Sequence, residues 1–151
     1  MLLEVKAKVT WIIDSKPKKR TETYLIEKEV MAEAEYAIMS KLTGYQNEGT
    51  LREFEIQSIK LSPIKEINLQ YQGEHSYIAS LKDIFLQDDG TEKAIKYKVI
   101  LWANSISEAM NHVREIAQQG YDMQIESLKE VDYYYIDNED TSEDNQPEAA
   151  E

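Results

Sequence analysis

FEIQSIK at residues 54–60 and MQIESLK at residues 123–129 say nearly the same thing twice in a chain of 151 residues. Ile56/Ile125, Ser58/Ser127 and Lys60/Lys129 are identical, and Phe54/Met123 and Ile59/Leu128 are apolar in both. The flanks agree as well. Upstream of each stretch lies an apolar helix pattern opening with Glu-Ala, at Glu33-Ala34 and Glu108-Ala109. Before each helix comes an apolar strand pattern, TYLIE at 23–27 and YKVILW at 97–102. Before those lie a polar turn and another strand pattern, KAKVTWII at 6–13 and YIASLKDIFL at 77–86. The same order of elements occurs twice, at an offset drifting between about 69 and 75 residues as loop lengths change, which marks an internal duplication.

Each unit is expected to run strand, turn, strand, helix, strand. Val5, Ala7, Val9, Trp11 and Ile13 alternate with Glu4, Lys6, Lys8, Thr10 and Ile12, the period of a half-buried antiparallel strand with Trp11 in the core register. The first hairpin is expected to turn through DSKPKKR at 14–20 with Pro17 setting the bend, and the second through QDDGTEK at 87–93 on Asp89-Gly90. Ser105 and Glu108 have capping-box spacing. Ala109, Met110, Val113, Ile116 and Ala117 then form one apolar helical face, with Gly120 suited to end it in the left-handed conformation. The first helix shows a similar face at Ala34, Ala37, Ile38, Lys41, Leu42 and Tyr45, with Gly44 near its end and no comparable cap. Extended segments at 64–71, after Pro63, and at 131–136 suggest a fourth strand in each unit. The expected fold is therefore α+β, with duplicated ββαβ(β) units forming antiparallel sheet covered by two helices about a pseudo-twofold axis. The halves, 1–72 and 73–136, are expected to make one domain, because one unit has too few elements to bury both faces. Residues 137–151 are expected to be a disordered acidic tail.

KVTW at 8–11, TETYLI at 21–26, the helix start EAEY at 33–36, IQSIK at 56–60 and SPIKEI at 62–67 resemble a domain-of-unknown-function family of small proteins from Bacteroidetes and their phages. The likeness spans residues 4–136. It implies a fold pattern and a bacterial or phage setting, and assigns no catalytic residue. The chain departs from the family in lacking a Ser or Thr cap before the first helix, where residues 30–32 read VMA.

Hydrophobic residues make up 42% of the chain, enough for a core. The net charge is −12, from 29 acids and 17 bases. Seven acids and no base fall in residues 137–151, so residues 1–136 hold 22 acids against all 17 bases, a formal −5. With no cysteine, disulfides, thiolate catalysis and cysteine-ligated metals are excluded. Glu4, Lys6 and Lys8 interrupt the start, so no signal-peptide core is expected there, and no run approaches the length of a membrane span. A cytoplasmic, monomeric protein is expected.

Signatures of chemistry are few. His75 and His112 have no partner at metal-ligand spacing, the five glycines stand alone, and no nucleophile motif occurs. No enzyme activity, metal or cofactor is expected. The one concentrated cationic stretch is KPKKR at 16–20, whose Lys16, Lys18, Lys19 and Arg20 suit phosphate contacts. Lys96 and Lys98 fall on the corresponding hairpin, and Trp102, in the other register from Tyr97, Val99 and Leu101, is a candidate for stacking on bases. These seven residues are the candidate nucleic-acid contacts. The leading expectation is a non-enzymatic binding protein for single-stranded nucleic acid, with the acidic tail as an electrostatic competitor. The tail ends PEAAE, without an apolar terminal residue. The alternative is a protein-interaction module using Tyr133, Tyr134, Tyr135 or the acidic tail.

Overall fold

The structure, a computed structural model, describes residues 1–120 and 123–137. Of the expected tail, residues 137–151, all but Asp137 lie outside the described residues. The described chain is α+β, with eight strands and two helices. It divides into two compact units, Met1–Ser62 together with the segment from Tyr133, and Pro63–Asp132.

In the first unit, β1 (Leu2–Ile13), β2 (Lys16–Glu27) and β3 (Leu51–Leu61) are antiparallel neighbours, and α1 (Met31–Glu48) joins β2 to β3. In the second, β5 (His75–Leu86), β6 (Glu92–Ala103), α2 (Ile106–Ala117) and β7 (Met123–Val131) repeat that order. The opening repeat has a structural meaning. In β3, Ser58 pairs with Lys6 and Ile56 with Ala7, which leaves Gln57 as an extra residue. In β7, Ser127 pairs with Ser80 and Ile125 with Leu81, which leaves Glu126 extra. The same β-bulge sits at the same place in both copies. Aligned on it, Ala7 corresponds to Leu81, and their cross-strand partners Glu22 and Tyr97 correspond to each other.

The fourth strands depart from a simple repeat. The order in one sheet is β3-β1-β2-β8 and in the other β4-β6-β5-β7, where β4 is Ile64–Ile67 and β8 is Tyr133–Ile136. Each sheet thus takes its fourth strand from the other half of the sequence, and that strand runs parallel to its neighbour. In place of one antiparallel sheet there are two mixed sheets, each with one helix.

The first hairpin is tighter than the sequence suggested. Ile13 pairs with Lys16 across a two-residue turn in which Asp14 and Ser15 have φ of 53° and 65°. Asp tolerates this left-handed region better than most residues. KPKKR is therefore strand, not loop. Pro17 pairs with Ile12, whose amide instead donates to Thr50 O at 2.9 Å on the β3 side. The site facing β1 at Pro17 needs no donor, so the missing N–H costs nothing. The second hairpin is longer: Gln87 N donates to Thr91 O at 2.8 Å, and Gly90 takes φ of 87°.

The two helices end differently from expectation. α1 continues past Gly44 and stops at Gly49, with φ of 83°, where Gly49 N and Thr50 N donate to Gln46 O and Tyr45 O; this is the paired closure that a left-handed C′ glycine permits. Gly120 is not left-handed; its N–H donates to Ala117 O. A Cβ there would meet Met123 Cε at 2.7 Å, the tip of a flexible side chain. Ser105 caps α2 as expected, its hydroxyl accepting from Glu108 N at 3.2 Å. α1 has no side-chain cap at Val30 and is held by burial. Ala34, Ala37, Ile38 and Leu42 pack on Val5, Ala7 and Val9 of β1, while Ala109, Val113 and Ile116 of α2 pack on Tyr77, Ala79 and Leu81. Each such aliphatic side chain contributes up to about 1.5–3 kcal/mol.

Candidate functional site

Alternation along β2 decides what faces α1. Lys16, Lys18, Arg20, Glu22 and Tyr24 stand opposite Ile13, Trp11, Val9, Ala7 and Val5 and share their face of the sheet. α1, long enough to reach Glu48, brings Tyr45 against Trp11 with ring centroids 5.5 Å apart and edge-on. β8 brings Tyr134 to Tyr24 at 5.8 Å. These rings, with Arg20, Glu22 and Lys41, line a pocket of about 350 Å³ in the first unit.

Glu22 is the centre of this pocket, and sequence reasoning missed it. It is 2% exposed. Its Oε2 accepts from Trp11 Nε1 at 3.0 Å, and its Oε1 from the Tyr24 hydroxyl at 2.5 Å. Arg20 Nε lies 3.7 Å from Oε2. A buried carboxylate must be matched by donors or opposite charge, and this one has both. Burial, reinforced by the neighbouring Glu22 charge, pushes the Tyr24 phenol far above its ordinary value, so its hydroxyl keeps the proton it donates. The period-2 run Arg20, Glu22, Tyr24 was the available signal, but a Glu in a polar-looking strand start reads as solvated. Trp11, expected in the core, is half-buried and serves as wall and donor.

The candidate contacts fall into separate groups. Lys16, Lys18 and Arg20 extend the pocket's face along β2, and Lys19 is on the opposite face across from Thr10. Lys16, Lys18 and Lys19 make no ion pair among the described residues. β8 pairs only with Thr23–Ile26, so among the described residues no strand covers the edge of β2 from Lys16 to Glu22 on that side. Lys96, Lys98 and Trp102 belong to β6 in the second unit, in the register opposite to the core residues Val99 and Leu101. Lys96 is paired with Glu126 at 3.7 Å, Lys98 is exposed, and Trp102 is half-buried. At bulge-aligned positions the second unit has Tyr97 where the first has Glu22, and Tyr97 donates to Met123 Sδ. The carboxylate pocket is thus a property of the first copy. Tyr134 is 40% exposed, and Tyr133 and Tyr135 are half-buried.

His112 lies under Tyr71, ring on ring at 3.7 Å, with its Nε2 3.5 Å from Glu108, while the Tyr71 hydroxyl bonds to Glu115. This straps the segment after β4 onto α2. Among the described residues no group of three or more His, Asp or Glu is placed to hold a metal ion, and no helix is long and apolar enough to cross a membrane.

The fold and pocket define a small α+β protein of two strand-exchanged repeats, with a carboxylate-centred aromatic pocket in the first. The chain belongs to the family described as Domain of unknown function (DUF4494), whose model matches residues 3–137. Neither a curated protein nor a solved structure matches it.

Proposed function

We propose that the protein binds single-stranded nucleic acid without catalysing a reaction, and that the contact surface is the basic strand β2 with the pocket it leads into. The observation that carries this reading is the register of β2: Lys16, Lys18 and Arg20 share the face of Trp11, along an edge that no described strand covers. Lysines without ion-pair partners attract phosphates locally although residues 1–136 carry a formal −5. Trp11, Tyr45 and Tyr134 line the pocket at the end of that row, and stacking of a base on an aromatic ring contributes about 1–3 kcal/mol. The acidic residues beyond 137 follow β8 directly in sequence, and β8 lines the pocket. The tail therefore competes with phosphate for the lysines.

The test is an anisotropy titration of a labelled thirty-nucleotide single strand at several salt concentrations, with the full chain and a chain cut after Ile136. Binding that weakens with salt, and tightens on removal of the tail, is expected. Lys16→Ala and Lys18→Ala should each lower the slope of log K against log salt by about 0.7. Absence of binding by both chains at low salt sinks the reading.

A protein-interaction module is the second reading, favoured by one observation. Tyr36 and Met39 of α1 are 70% and 44% exposed and line an open depression of about 930 Å³. Salt-insensitive capture of a protein by this helix face, abolished by Tyr36→Glu, would favour it.

A further inference from the structure

We propose that the uncovered end of the second repeat's core face docks an arginine side chain of a protein partner, held between the Phe85 ring and the Asp83 carboxylate. The site lies in the second unit and is independent of the strand reading above.

The two repeats differ in what covers their core face. Aligned on the shared bulge, Val9 and Trp11 of β1 correspond to Asp83 and Phe85 of β5, and their partners Arg20 and Lys18 to Ile95 and Lys93 of β6. In the first repeat α1 runs for 18 residues and brings Tyr45 against Trp11. In the second, α2 has 12 residues and stops at Ala117. Counting from Ala34 and Ala109, the place of Tyr45 is taken by Gly120, which has no ring to offer. Phe85 and Ile95 are accordingly 42% and 46% exposed, although alternation puts them in the register of the core residues Leu81 and Val99.

Asp83 stands beside these two side chains. Its cross-strand neighbours are Ile95 and Met123, both apolar. Its Oδ1 is buried and takes no hydrogen bond, and the residue has no partner among the described residues. A buried acceptor without a donor costs stability, and more so when charged. The first repeat avoids that cost by having Val9 at the matching position. The second repeat therefore sets an unpaired carboxylate next to an uncovered ring, and what completes the site must bring a donor, a positive charge and an apolar face together.

Arginine brings all three. Its guanidinium carries five N–H donors and a permanent charge, and its flat faces stack on aromatic rings. The carboxylate torsion of Asp is broad and two-fold, so Asp83 can turn an oxygen toward a donor arriving beside Phe85. An ammonium supplies the charge without the flat face. A tyrosine or tryptophan supplies a ring and a neutral donor, which leaves the carboxylate charge uncompensated. Lys93 does not fill the role from within the chain. It pairs with Phe85 and so lies diagonally across the strands from Asp83, about 7–8 Å away along the backbone, and makes no ion pair with it.

The test uses the full-length protein. Its two phenylalanines are Phe54 in the first unit and Phe85 in the second, so fluorine NMR of protein made with para-fluorophenylalanine gives one signal per unit. The probes are the capped tripeptide acetyl-Leu-Arg-Leu-amide and its counterparts with Lys, Tyr or Gln at the centre. The Phe85 signal should move with the Arg peptide at a concentration about tenfold lower than with the Gln peptide, while the Phe54 signal stays. Asp83→Asn should bring the two peptides within about twofold. Asp83→Val, which copies Val9, should raise the urea midpoint of the second unit, followed by Trp102 fluorescence in a Trp11→Phe background. A Phe85 signal that no peptide moves, an Arg advantage that survives Asp83→Asn, or a Lys or Tyr peptide that binds as tightly as the Arg peptide overturns the proposal. So does a lowered midpoint in Asp83→Val, which would make Asp83 a structural residue. A Phe85 signal that moves on dilution of the protein alone also overturns it, because a second copy of the chain then covers the patch. None of these outcomes touches the strand reading.

Discussion

Tyr24→Phe removes one oxygen and nothing else. The phenol is 6% exposed, and its hydroxyl donates to Glu22 Oε1 at 2.5 Å. Water has little access to replace it, so the carboxylate oxygen loses a charge-assisted hydrogen bond worth about 1.5–3 kcal/mol. Taking ~2 kcal/mol and a urea dependence of about 1–3 kcal/mol per molar, the unfolding midpoint of the first unit should fall by roughly 1 M. The chain has two tryptophans, Trp11 in the first unit and Trp102 in the second. A Trp102→Phe background therefore lets urea titration followed by tryptophan fluorescence report the first unit alone. The control is the same change in a Glu22→Leu background, where the hydroxyl has lost its acceptor. There Tyr24→Phe should cost less than about 0.5 kcal/mol, giving a coupling above ~1 kcal/mol in the double-mutant cycle. An unchanged midpoint in the Trp102→Phe background, or an equal drop in both backgrounds, would refute the account of Glu22 as a buried carboxylate held by donors.

Three further outcomes are expected. Ser105→Ala removes the acceptor for Glu108 N at the start of α2 and should cost about 1 kcal/mol, read from Trp102 fluorescence in a Trp11→Phe background. Gly44 lies inside α1 with nothing within 4 Å of a built Cβ, and Gly49 has φ of 83°; Gly44→Ala should stabilise and Gly49→Ala destabilise, each by about 1 kcal/mol, and thermal melts moving in the same direction would contradict this. Burial raises Tyr24, Tyr77 and Tyr97 above the ordinary 10.0. The unfolded chain therefore releases those protons first, and stability is full below pH 10 and falls as pH rises through the folded values. Urea midpoints should hold up to pH ~10 and fall above it, less steeply in Tyr24→Phe.

What was legible in the sequence was local. The period-2 run in β1, the Ser105 cap, the Asp89-Gly90 turn and the helix faces all follow from residue type and spacing. The paired stretches FEIQSIK and MQIESLK pointed to a duplication, and the structure shows that they carry a shared bulge. Errors arose where two local signals competed. Pro17 outweighed Asp14-Ser15 as the bend, although a proline at a position without a ladder bond is compatible with strand. Gly44 lies near the helix end but inside it, because a glycine in a well-buried helix can be carried through. Non-local features left no local trace. Nothing in IKEI or YYYI says which sheet each joins, because short apolar strands pair wherever an edge and a core are offered. Glu22 was illegible for the same reason, since its donors come from β1 and β2 and its roof from α1 and β8.

The exchange of fourth strands has a consequence for synthesis. The first unit is encoded almost entirely by residues 1–62, yet β8 supplies Tyr134, Tyr135 and Ile136 to its pocket wall. A ribosome releases those residues only after the whole second repeat. The amino-terminal half therefore waits, with the β2 edge at Thr23–Ile26 unpaired, until the whole second repeat has been made. Folding from the N-terminus domain by domain, the usual order for nascent chains, is interrupted here, and the Glu22 pocket closes only after the second repeat has been made.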